Sequence, residues 1–110
     1  MPSIVHIVSL KYKSTTSDAE KHLVGSSFLA LQDKCQHPST GEKYLTVIGG
    51  RNNSPEGFEK GFEHAFVVNF ASEEDRAYYL DQCPVHGDFK KLAGQYAEDV
   101  FVIDFVPGNF

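Results

Sequence analysis

Two cysteines, Cys35 and Cys83, are all that the chain carries. They fall on different predicted helices without the spacing of a metal site, so a disulfide-dense extracellular scaffold is excluded. A reducing, cytoplasmic setting is expected, with a Cys35–Cys83 disulfide as the minor alternative. No apolar run approaches the roughly 20 residues of a membrane span. Met1-Pro2-Ser3-Ile4-Val5-His6 lacks the basic and apolar regions of a signal peptide. No membrane partner is expected, and Asn52-Asn53-Ser54 is then a chance glycosylation match. A basic stripe is also missing. The net charge is −5, and Lys11, Lys13, Lys43, Lys60, Lys90 and Lys91 are interrupted by carboxylates. Nothing is offered for a phosphate backbone to track, so no nucleic acid is expected. The glycines of the 49–57 loop are not followed by Gly-Lys-Ser/Thr, which excludes a phosphate loop.

What is present suits an ordinary globular protein, and residues 1–110 are expected to form one domain with a single modest core. Ser3 to Lys13 alternate as a strand, with Ile4, His6, Val8, Leu10 and Tyr12 on one face. Ser17-Asp18-Ala19-Glu20 is a capping box. It opens a helix whose Val24, Phe28, Leu31 and Cys35 form an apolar stripe ending before Pro38. Lys43 to Ile48 form a second strand, and 49–57 a long turn-rich loop. Gly61 to Phe70 form a third, with Phe62, His64, Phe66, Val68 and Phe70 on one face. Ser72-Glu73-Glu74-Asp75 caps a helix that Pro84 stops. A last helical stretch carries His86, Phe89, Ala93 and Tyr96 before a strand from Val100 to Val106.

The order β-α-β-β-α-β predicts an α+β, ferredoxin-like protomer: a four-stranded antiparallel sheet with helices on one face and strands one and three in the middle. The other face of the sheet would remain rich in Phe, Val and Ile. A large apolar face is unstable in water, and a twofold homodimer is the commonest way to bury it.

The histidines are the candidates for chemistry. His86 follows a helix break and shares a face with Phe89, so it reads either as a general base or ligand contact, or as a helix-start imidazole bonded to backbone. Asp104 alternates with Val100, Val102 and Val106. It reads as the orienting partner of His86 or as a sheet-edge carboxylate meeting water or lysine. His6 and His64, on neighbouring strands, either contact a polar ligand oxygen or are paired core histidines. The spacings of His6, His64 and His86 carry no zinc-ligand motif, so no metal is expected.

The chain resembles the stress-responsive dimeric α/β-barrel (Dabb) family. The resemblance rests on Val5-His6-Ile7-Val8-Ser9-Leu10-Lys11-Tyr12-Lys13, Lys60-Gly61-Phe62-Glu63-His64-Ala65-Phe66 and Phe70-Ala71-Ser72-Glu73-Glu74-Asp75. It continues through Cys83-Pro84-Val85-His86 and Val102-Ile103-Asp104-Phe105, and so covers nearly the whole chain. It implies a protomer whose dimer closes into a barrel-like body. It implies one of two functions: a stable stress protein without a reaction, or a polyketide cyclase closing a ring by aldol condensation. On the cyclase pattern the matching positions are His86 as base, Tyr79 as hydrogen-bond donor and Asp104 nearby. The tyrosine-to-Pro84 spacing is one residue longer than the family's, leaving Tyr78, Tyr79 or neither open as the match. A pocket tyrosine of the first helix appears here as Phe28. The combined expectation is a mostly apolar pocket between sheet and helices, binding a hydrophobic, oxygen-bearing small molecule. His6, His64, Phe28 and Phe89 would contact the ligand, and His86, Tyr79 and Asp104 would act on it without a cofactor. The alternative is a non-catalytic protein valued for a stable dimer.

Overall fold

The computed structural model describes residues 3–110. Its elements are β1 (Ile4–Tyr12), α1 (Asp18–Leu29), α2 (Leu31–Lys34), β2 (Leu45–Arg51), β3 (His64–Phe70), α3 (Glu73–Asp81), α4 (Pro84–Tyr96) and β4 (Ala97–Phe105). The strands form one antiparallel sheet in the order β2-β3-β1-β4, so the fold is the ferredoxin-like α+β arrangement with β1 and β3 central.

Alternation along β1 drives Ile4, His6, Val8, Leu10 and Tyr12 under the helices, where all five are buried. Phe66, Val68 and Phe70 of β3 and Leu45 and Val47 of β2 join them. From the helical side come Val24, Phe28, Leu31, Cys35, Tyr79, Phe89 and Ala93. Phe28 stacks on Phe66 with ring centres 4.0 Å apart and meets Phe89 edge-on at 4.9 Å, joining α1, β3 and α4 through three aromatics. Ser17 closes its capping box with Glu20, and Ser72 accepts from the Asp75 N–H at 3.1 Å. Cys35 and Cys83 are free thiols whose sulfurs lie 3.8 Å apart in the core. No helix among the described residues is long and apolar enough to cross a membrane.

Several boundaries differ from expectation for local reasons. β3 starts at His64 rather than Gly61, because Lys60 and Gly61 take left-handed backbone angles, φ 58° and 83°. Phe62 therefore leaves the His64 face and packs against Phe101 on the opposite side of the sheet. β2 continues through Gly49 and Gly50 to Arg51, since a residue without Cβ lets the Phe66 ring lie across the strand at Gly49. The first helical stripe is split at Ala30 into α1 and α2, yet all four of its residues reach the core.

Candidate functional site

The end of α3 creates an acceptor for His86. In a continuing helix the Cys83 N–H would bond to the Tyr79 carbonyl. Here it bonds to the Tyr78 carbonyl at 2.9 Å, and Pro84, at the first turn of α4, has no N–H to give. The Tyr79 carbonyl is left for the His86 side chain, whose Nδ1 donates to it at 2.8 Å. A carbonyl only accepts, so Nδ1 carries the proton, and the neutral ring keeps its lone pair on Nε2. Burial pushes the imidazole down to about 4, against the pull of the carbonyl, with Lys90 and His6 adding to the lowering. The ring also stacks on that of Tyr79, 3.7 Å between centres. The phenol of Tyr79 is itself held protonated by burial and then by the neighbouring thiols of Cys35 and Cys83.

Asp104 does not partner His86, the first of the two readings the sequence left open for it. The antiparallel register sets it beside His6, and its Oδ1 lies 2.6 Å from His6 Nδ1 while Arg76 Nη1 donates to Oδ2 at 3.2 Å. The reason is simple: His86 already has an acceptor within α3, whereas His6 and Asp104 share one face of adjacent strands. Arg76, on α3, was missed. Its sequence context is an acidic first helical turn, and nothing local announces a partner 28 residues away.

A cavity of about 580 Å³ lies between the sheet and α4. His6, Phe28, Tyr79, His86 and Phe89 line it, with Val100 and Val102 of β4 as a side wall. Asp104 stands behind His6 rather than on the wall. His64 does not join them. It is registered opposite Leu10, four residues further along β1 than His6, or roughly 13 Å along the strand. Its Nδ1 meets the Tyr12 hydroxyl at 2.7 Å, and it lines a different cleft, against α1. The three imidazoles therefore do not converge on a common point. What the cavity presents is a mostly apolar chamber, with Lys90, Glu98 and Asp99 also on its wall, and two histidines: one with a free Nε2 lone pair, the other clamped through Nδ1 to an Arg-braced carboxylate.

A ferredoxin-like sheet with a histidine-lined chamber beneath its edge strand defines a small-molecule-sized site on a common scaffold. The stress responsive A/B barrel domain family model matches residues 4–107, and the chain belongs to that family. Among curated proteins, a fusaristatin A biosynthesis cluster protein of Gibberella zeae is 28% identical over 97 residues, covering 86% of this chain and 66% of that protein. The chain thus spans just under two thirds of that relative's length. Among solved structures, the hydroxynitrile lyase of Passiflora edulis superposes with a TM-score of 0.82 at 23% identity, covering 99% of this chain and 97% of that one. A dimeric ferredoxin-like protein of Bacteroides fragilis gives 0.69 at 23% identity, covering 94% and 95%. At these identities the structural likenesses are likenesses of fold.

Proposed function

We propose that the chain is a homodimeric, cofactor-independent enzyme that moves a proton on a hydrophobic, oxygen-bearing small molecule in the chamber under α4, with His86 as the base. The observation that carries this reading is the bond from His86 Nδ1 to the Tyr79 carbonyl, which leaves Nε2 unprotonated in an apolar chamber. Such a lone pair removes a proton next to a substrate carbonyl. The resulting enolate carbon attacks a second carbonyl carbon, and the new alkoxide takes the proton back from the imidazolium. Run in reverse on a cyanohydrin, the base takes the hydroxyl proton, the carbon–carbon bond breaks to give a carbonyl, and the departing cyanide leaves with the proton. Aldol closure and hydroxynitrile cleavage therefore ask for the same machinery. Tyr79 would donate to the substrate oxygen as negative charge develops there, and His6, fixed by Asp104, is the second group able to do so.

Turnover of mandelonitrile, followed as benzaldehyde appearance, tests the reading together with screening of linear polyketide-like thioesters for cyclised product. With either substrate, His86→Ala is expected to lose roughly a hundredfold or more in rate, the usual range for a general base, while the protein remains folded. Undiminished turnover in that variant would overturn the assignment. A second reading has its own support. The stacking of His86 on Tyr79 and its backbone bond also suit a purely structural imidazole joining α3 to α4. Absence of turnover on both substrate types, with a large loss of stability in His86→Ala, would favour that reading.

A further inference from the structure

We infer that the cleft between α1 and the paired ends of β2 and β3 is a second ligand site, taking a small carboxylate with an apolar body. The cleft, about 580 Å³, is open because Gly25 on α1 and Gly49 on β2 put no side chain into it. At Gly25 a Cβ would stand 3.3 Å from His64 Cε1, so the imidazole lies directly against the helix backbone. Phe66 and Leu29 supply apolar surface.

The formal charges of this cleft balance, Lys21 and Arg51 against Asp18 and Glu63, but they are not evenly paired. Arg51 is paired in register with His64 on the helix side of the sheet, so their side chains are neighbours. Lys21 and His22 approach from α1. Of the carboxylates present, Glu63 is bound to Lys21 at 2.9 Å, and Asp18 sits in the first turn of α1, where the helix dipole favours it. Arg51 has neither an ion pair nor a side-chain hydrogen bond among the described residues. Burial is the main influence lowering the affinity of His64 for a proton; Lys21, Arg51 and His22 add to it, and Glu63 opposes them.

The tautomer of His64 follows from Tyr12. Burial, then the charge of Glu63, pushes this phenol up to about 12, so it keeps its proton. His64 Nδ1 is its one partner among the described residues. With the phenol donating to Nδ1, its one partner, the neutral ring carries its own proton on Nε2. The cleft thus offers an N–H donor beside an unpaired guanidinium and next to a phenyl ring. A carboxylate accepts from both and matches the flat fork of arginine. An attached aromatic or short acyl group would lie against Leu29, the exposed apolar side chain of the cleft. This site is separate from the chamber of His86, and neither proposal depends on the other.

Benzoate and its uncharged isostere benzamide distinguish the possibilities when titrated into the full chain, with the histidine Cε1–H resonances followed by NMR. Benzoate is expected to shift His64 saturably while leaving His6 and His86 in place. Benzamide should bind at least roughly tenfold more weakly, as loss of a charge-assisted pair implies. Arg51→Gln, at an exposed and unpaired position, should weaken benzoate by roughly the same factor without moving the melting temperature. Equal binding of the two probes, unchanged affinity in Arg51→Gln, or shifts at His86 in place of His64 would each overturn the inference. Because the two sites report through different resonances, failure here is distinguishable from failure of the His86 assignment.

Discussion

At the scale of single residues, the His86 environment has a consequence for pH. The unfolded imidazole takes up a proton near its ordinary value of about 6.5, whereas burial holds the folded one down to about 4. Between these values the unfolded chain binds more protons, so acidification favours unfolding and stability rises with pH through the window. Above it the contribution is complete and flat. The expected size is at most about 3 kcal/mol, from the shift at 1.36 kcal/mol per unit. Urea unfolding between pH 4 and 7 checks this: His86→Gln should flatten the slope seen in the parent over that interval. An unchanged slope would mean that His86 is not the group responsible. The position of His86 was legible because a proline-stopped helix followed by an imidazole is a local pattern. The partner of Asp104 was not. Asp104 lies 98 residues from His6 in sequence, and hydrophobic alternation places each on a face without giving the register that pairs them.

At the scale of elements, a capping box, Ser72 as a cap and apolar periodicity located the four strands and the main helices, since these signals arise within a few residues, while the break at Ala30 that separates α2 was not read. Ends set by backbone angle or by a neighbour's ring were harder to read, as at β3 and at the Gly49–Gly50 extension of β2. That extension makes a paired prediction. A Cβ at Gly49 would run into the Phe66 ring and come within 2.8 Å of the Ala65 carbonyl oxygen, and that backbone atom belongs to a paired strand and cannot yield cheaply. At Gly50 nothing lies within 4 Å. Gly49→Ala should therefore cost roughly 1–3 kcal/mol, as overpacking does, while Gly50→Ala stays within about 0.5 kcal/mol of the parent. Urea midpoints of the two variants give the comparison, and equal midpoints would contradict the packing described at Gly49. The separation of His64 from His6 also belongs to this scale. Two histidines facing the same side of adjacent strands look like one site in sequence, and only the pairing register shows the distance along the strands between them.

At the scale of the whole molecule, β4 has a double duty. Val100 and Val102 wall the His86 chamber on one side. On the other, Phe101, Ile103 and Phe105 are registered beside Ser9, Ile7 and Val5 of β1 and remain about half exposed, at 51%, 49% and 44%. Ile48 of β2, 69% exposed, extends the same apolar face. A sheet face of this composition is what a proposed second copy would cover, and a stable pairing needs roughly 800 Å² from each partner. Phe101→Glu with Ile103→Glu places two carboxylates on the edge-strand side of that face. In a lone protomer they are solvated and the fold is unharmed; in a face-to-face pair they would be stripped of water without partners. Sedimentation at micromolar concentration should therefore give twice the chain mass for the parent and a single chain mass for the double variant, with helical content retained in both. A parent that sediments as one chain would remove the dimer. If the pairing holds, the variant should also lose turnover in the chamber, because the strand whose inner residues form that wall would no longer be braced from outside. Full turnover in the monomeric variant would instead show that one protomer completes the site alone.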